Sequence, residues 1–144
     1  PLVLAGAITK GEQIAAAQAL GVDMVYMGTR FIATQQANAQ PAYKQTVLEA
    51  AAGDIVYTNL FTGVHGNYLR QSIEQAGMDP EALPEGDKSA MRYGSGGSSK
   101  AKAWRDIWGA GQGVGGITTL NSVADEIATL RADYQQALDQ LRRR

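Results

Sequence analysis

The amino-acid sequence predicts an α/β fold in which two short parallel strands belong to one end of a larger sheet or barrel. Three observations predict it. The apolar runs Leu2-Val3-Leu4-Ala5 and Met24-Val25-Tyr26-Met27 carry no charged residue and start about 22 residues apart, the spacing of a tight right-handed βαβ unit. Each run is followed at once by a glycine turn, Gly6 and Gly28. Only two or three convincing strands occur along the whole chain, too few to close a barrel or a wide sheet. Together with a first residue, Pro1, that leads directly into an apolar run, this predicts further strands upstream.

The elements follow in order. An unbroken apolar run suits a parallel strand covered on both faces. Thr9 and Glu12 read as a T-x-x-E capping box opening an alanine-rich helix over 13–20, and Gly21 supplies its left-handed stop. After the second strand, Pro41 suits the first turn of a helix that runs through Tyr43, Val47 and Leu48 and stops at Gly53. Ile55-Val56-Tyr57-Thr58 reads as a strand. Asn67 is expected to cap a helix containing Leu69 and Ile73 that stops at Gly77, and Asp79-Pro80 to open a short helical turn. Residues 84–99 read as a loop and 100–108 as a helix running into glycine-rich 109–116. The apolar positions Val123, Ile127, Leu130, Tyr134, Leu138 and Leu141 repeat at helical spacing and predict a long amphipathic helix.

Composition narrows the function classes. With 44% apolar and 19% charged residues the chain is that of a globular protein rather than a disordered one. Thirteen basic against fourteen acidic residues give no field favouring nucleic acid or an anionic membrane, and Arg142-Arg143-Arg144 reads as a solvated helix end. No cysteine and one histidine leave no thiolate or histidine-based metal site, and no metal is expected. No apolar run approaches the roughly 20 residues that span a bilayer. A cytoplasmic location is expected.

The chemistry-bearing pattern is the pair of strand ends. A glycine after a strand lets an anion approach the main chain with no Cβ between, and the N–H groups of the turn point at it. Two such turns side by side make a phosphate cradle, as recurs at the active-site end of (β/α)8 barrels. Thr29 offers either a hydroxyl to the same phosphate or a helix cap. Arg30 suits either a phosphate or a carboxylate on the rim. Gly111-x-Gly113-x-x-Gly116 has the letters of a dinucleotide fingerprint, but a helical stretch precedes it where the fingerprint needs a strand. It reads instead as a main chain lying against something flat, with Gln112 to hydrogen-bond a polar edge, or as a linker. Trp104 and Trp108, four apart, read as core on one helical face, Trp108 having the better access to a ligand. His65 is either a surface residue or a general base.

Taken in order, Leu4-Ala5-Gly6-Ala7-Ile8, Ala19-Leu20-Gly21-Val22-Asp23, Met27-Gly28-Thr29-Arg30-Phe31, Pro41-Ala42-Tyr43-Lys44 and the block from Lys102-Ala103-Trp104 to Gly116 resemble the nitronate monooxygenase family, formerly the 2-nitropropane dioxygenases. The resemblance implies the C-terminal portion of a (β/α)8 TIM barrel that holds flavin mononucleotide (FMN) noncovalently, with part of an inserted smaller α/β region. Residues 1–53 would be the last two βα units, 54–99 the inserted region and loop, and 100–144 the return to the barrel. Gly6, Ala7, Met27, Gly28 and Thr29 would hold the phosphate, and Gln112 and Gly113 would approach the flavin. Ala7 departs from the family's usual glycine, a small change unless positive φ is required there. The family's active-site histidine is expected upstream of Pro1 in a missing N-terminal half; His65 does not match it.

The resemblance implies oxidation of alkyl nitronates with dioxygen. An NAD(P)H:quinone reductase is the alternative, because Thr62-Gly63-Val64-His65-Gly66-Asn67-Tyr68-Leu69 and the block 104–116 are similar to that subgroup. A flavin-dependent enoyl-acyl-carrier-protein reductase matches less well, and a noncatalytic fragment is the remaining reading. The expected partners are a small-molecule nitronate or quinone and, for the reductase, NAD(P)H as co-substrate.

Overall fold

A computed structural model describes residues 1–86 and 105–143 of the chain. Strand β1 (Val3–Ala5) pairs in parallel with β2 (Met24–Tyr26) in the register Val3↔Met24, Leu4↔Val25, Ala5↔Tyr26, and helix α1 (Gly11–Ala19) makes the crossover. The start of α1 differs from expectation. The helix begins at Gly11, and the carboxamide oxygen of Gln13, not the Glu12 carboxylate, accepts from the N–H groups of Thr9 and Lys10 at 2.7 and 3.0 Å. A glutamine three residues into the cap does this as well as a glutamate. The stop is as expected: Gly21 has φ +87, its N–H bonds the Gln18 carbonyl, and the N–H of Val22 bonds that of Ala17.

The strands are not covered on both faces by the described residues. Leu2, Val3, Leu4, Met24 and Tyr26 are 37% to 68% exposed. Beyond β2 come the short helix α2 (Thr29–Ile32) and α3 (Pro41–Glu49), with Pro41 in the first turn as expected. The α3 helix ends before Gly53, which lies in a 3-10 turn (Ala52–Asp54) leading to β3 (Ile55–Thr58).

The helix expected from Asn67 begins late. Gly66–Leu69 is a strand, β4, antiparallel to β3 with Ile55↔Leu69 and Tyr57↔Asn67, and only Arg70–Gln75 is helical (α4). Packing explains the difference. Neighbouring Tyr68 and Leu69 bury themselves in separate apolar clusters on the two faces of the hairpin, which a strand allows and which outweighs the capping preference of Asn67. Gly77, with φ +79, ends α4 as expected.

Of the expected loop 84–99, residues 87–99 lie outside the described residues, as do 100–104 of the expected helix 100–108. Arg105 and Asp106 are helical, but Trp108 is not and runs beside β4. The Leu69 N–H donates to the Trp108 carbonyl at 2.8 Å, and the Ala110 N–H to that of Asn67 at 3.2 Å. The glycine-rich segment thus starts with an isolated antiparallel bridge, Gly109 to Tyr68 of the hairpin, not as the end of a helix. Trp108 does serve the core: it is buried, stacks on Tyr43 at 5.2 Å, and donates its backbone N–H to Ser72 Oγ at 3.0 Å. Burial pushes the Tyr43 phenol pKa up, keeping it a donor to the Gly109 carbonyl.

One apolar cluster includes Ala33, Val47, Leu69, Trp108, Val114 and Ile117, fastening α2, α3, β4 and the glycine-rich segment together. The long helix α5 (Val123–Arg142) is capped by Ser122, whose hydroxyl accepts from the Asp125 N–H at 3.1 Å. Its apolar stripe is only partly covered, since Leu130 is buried while Ile127 and Leu141 are exposed. No described helix is long and apolar enough to cross a membrane.

Helix α1 crosses α5 at Gly11, where an added Cβ would strike the Leu130 carbonyl and the Tyr134 N–H. Backbone cannot give way as a side chain can. Gly11→Ala in the complete protein should therefore lower unfolding stability by about 1–3 kcal/mol in a urea titration; a wild-type midpoint would show that the helices do not cross here.

Candidate functional site

The register of β1 on β2 brings the turns that follow them to the same sheet edge. In the first, Gly6 has φ +101 and Ala7 φ +54. In the second, Gly28 precedes α2 with an ordinary φ of −110. A Cβ built on Gly6 or Gly28 meets nothing within 4 Å, so both turns face open space. Among the described residues, the N–H groups of Gly6, Ala7, Gly28 and Thr29 donate to no turn, loop or side-chain acceptor.

The glycine-rich segment completes the site from a third direction. Its 3-10 turn (Gln112–Gly116) lies against the first strand end: a Cβ on Gly113 would come within 2.7 Å of Thr9 Cγ2 and 3.1 Å of Ala7 Cα. The Gly111 N–H donates to Thr29 Oγ1 at 2.9 Å. Thr29 therefore uses one of its two lone pairs on the segment and keeps its hydroxyl hydrogen for another acceptor. Gln112 is exposed and forms no side-chain hydrogen bond with the described residues.

Residues 1–133 match the family model described as nitronate monooxygenase. The chain belongs to the nitronate monooxygenase family. It is 30% identical to a nitronate monooxygenase of Paraburkholderia phytofirmans, the match covering 99% of this chain and 40% of that protein. A nitronate monooxygenase, npaC, of Metarhizium robertsii is 36% identical over 61% of this chain and 27% of its own length. Among solved structures, the chain resembles nitroalkane oxidase from Streptomyces ansochromogenes (TM-score 0.71, 28% identity, 98% of this chain and 41% of that one). It resembles FabK from Thermotoga maritima comparably (TM-score 0.70, 28% identity, 99% and 46%). The chain spans less than half the length of each of these proteins.

With the family in view, the expected site residues divide. Gly6, Ala7, Gly28, Thr29 and Gly113 meet at one place, with Gln112 beside them. Met27 lines an apolar groove of about 480 Å³ with Ile14, Val25, Phe31 and Tyr134. Of the two readings of Arg30, the structure takes the carboxylate: its Nε and Nη2 bond the two oxygens of Glu126, the latter at 2.7 Å, and both side chains are buried. His65 is exposed and stacks on Tyr57 at 4.8 Å. No group of three or more acidic or histidine residues suited to a metal occurs among the described residues.

Two participants escaped the sequence reading. Glu126 carried a signal, an acidic residue in register with Leu130 and Tyr134 on the face of α5 that packs inward. Thr9, expected as a cap, instead forms the floor beneath Gly113 and Gly116.

Ala7 is strained. It is the single described non-glycine residue at positive φ, a conformation that costs an alanine about 1–2 kcal/mol. Ala7→Gly should leave thermal stability unchanged or raise it, the relief of strain offsetting glycine's greater unfolded-state entropy. Ala7→Val, β-branched at the same φ, should lower stability by about 1–3 kcal/mol. Equal melting temperatures for the two variants would show that the turn has an ordinary backbone.

Proposed function

We propose that the complete protein is an FMN-dependent oxidoreductase, built on a (β/α)8 barrel, that oxidises alkyl nitronates with dioxygen. The observation that carries the reading is the convergence of the three turns, 6–7, 28–29 and 111–113, at one sheet edge where Gly6 and Gly28 face open space. The site fits the cofactor. Gly6 and Gly28 present bare main chain where a Cβ would otherwise stand, and among the described residues the Thr29 hydroxyl hydrogen is unspent and the buried carboxylate is Glu126, which Arg30 pairs.

FMN, when bound, supplies the electron transfer, and the residues of this chain hold and orient it. Gly6, Ala7, Gly28 and Thr29 would take the phosphate through N–H groups and one hydroxyl. Gly113, pressed on Ala7, brings the 112–116 turn to the flavin, and Gln112 offers a carboxamide to its polar edge. Arg30 takes no part in binding, being committed to Glu126. The base that removes a substrate proton is assigned to the remainder of the protein. In the barrel reading, the exposed apolar faces of β1 and β2 are where its other strands and helices pack.

A second reading, an NAD(P)H:quinone reductase on the same fold, is favoured by the exposed Tyr57–His65 stack on the β3–β4 hairpin, a flat surface suited to a planar ring. Anaerobic mixing with NADH separates the two. Rapid bleaching of the bound flavin by NADH establishes the reductase; a flavin that stays oxidised with NADH, in a protein that consumes nitronate once dioxygen is admitted, establishes the monooxygenase.

Because a Cβ added at Gly28 meets nothing within 4 Å among the described residues, Gly28→Val should fold normally yet intrude on the phosphate. FMN affinity in the complete protein should fall about 10-fold or more, read by flavin fluorescence titration; unchanged affinity would remove Gly28 from the site. Gln112→Leu should alter the rate of flavin reduction or reoxidation while leaving the melting temperature in place, and wild-type kinetics would count against its contact with the flavin.

A further inference from the structure

The buried ion pair has a position that its charge alone does not explain. Thr29 and Arg30 are consecutive on α2, and they grip opposite ends of one glycine-rich segment. Thr29 Oγ1 accepts from the Gly111 N–H at 2.9 Å, while Arg30 Nη1 donates to the Gly116 carbonyl at 3.4 Å. Glu126, 1% exposed, holds the guanidinium from α5 through both carboxylate oxygens. Asn121 Nδ2 donates to the same carboxylate at 3.2 Å, and the Asn121 carbonyl accepts from the Gln35 N–H at 2.9 Å. The path from 111 to 121 is thus fastened along α2 and the residues just after it.

A buried ion pair is a poor source of stability, since taking both charges out of water costs about what their attraction returns, and apolar residues of similar size often do as well. What it provides that apolar packing does not is direction, through a planar fork aimed at fixed acceptors. The face of α5 that Glu126 shares with Leu130 would accept a leucine. The ion pair spends that place on aiming Arg30.

We propose that Arg30, Glu126 and Asn121 form a positioning device that fixes the Gly116 end of the 111–116 turn and thereby sets how tightly the site holds FMN. The inference rests on the flavin reading above. The three residues act through the turn and touch neither cofactor nor substrate.

The test uses the complete protein with Glu126→Gln and with the apolar double replacement Arg30→Met/Glu126→Leu. Three quantities are compared with wild type: melting temperature without cofactor, FMN affinity with the visible spectrum of the bound flavin, and amide hydrogen exchange over 111–117 without cofactor. The double variant should melt within a few degrees of wild type, exchange faster over 111–117 but not over α3, bind FMN about 10-fold more weakly and show a shifted flavin spectrum. Glu126→Gln, which keeps one acceptor, should fall between. A folded double variant with wild-type exchange, affinity and spectrum overturns the proposal. Should the double variant fail to fold, wild-type values for Glu126→Gln overturn it. Wild-type protein that binds no FMN would instead overturn the flavin reading, and exchange over 111–117 would then decide the positioning role alone.

Discussion

The site depends on one stretch of main chain lying directly against another. At Gly113 and Gly116 there is no room for a Cβ above Ala7 and Thr9, so any side chain at either position would lift the 112–116 turn off the first strand end. The same turn sends Val114, and just beyond it Ile117, into the core, where they are 0% and 1% exposed. One face is bare backbone and the other is apolar. Lifting the turn would draw both side chains out of their packing, at about 1.5–3 kcal/mol for each one fully exposed. The geometry of the open site and the stability of the core are therefore coupled through a single five-residue turn.

What the sequence made legible was whatever is decided locally. The parallel unit, its glycine turns, the stops at Gly21 and Gly77 and the proline in the first turn of α3 all depend on the conformational range of one residue or on a short apolar run. The failures came where a distant partner decides. Asn67 has a good capping side chain, yet β3 on one edge and Trp108 and Ala110 on the other hold it in a strand. Trp108 stands four residues from Trp104 in what reads as a helix, but the hairpin edge captures it. Arg30 had two plausible anions, and the choice was made by Glu126, 96 residues away.

Ala7 shows how a local rule can be overridden. Its φ of +54 suits glycine, and Gly113 lies so close that an added Cβ there would stand 3.1 Å from the Ala7 Cα. Such strain persists only where surrounding contacts over-determine the backbone. Here the strained residue stands where two segments distant in sequence lie directly against each other.

The division between main chain and side chain also explains how one framework serves more than one chemistry. A cradle of N–H groups and one hydroxyl recognises a phosphate but is indifferent to what happens at the far end of the cofactor. Binding energy gathered at a remote, nonreacting group is available for orienting the reacting end. Selection between a nitronate and a quinone has to be made by side chains near the ring. Under the flavin proposal the candidates in this chain are Gln112, on a turn backed by the buried Val114, and the hairpin bearing Tyr57 and His65, whose edge leads through Ala110 into the same turn. On that proposal, changing the hairpin face would alter which planar partner can stack there, whereas the phosphate end meets the same segment further along, through Thr29 at Gly111 and through Ala7 at Gly113.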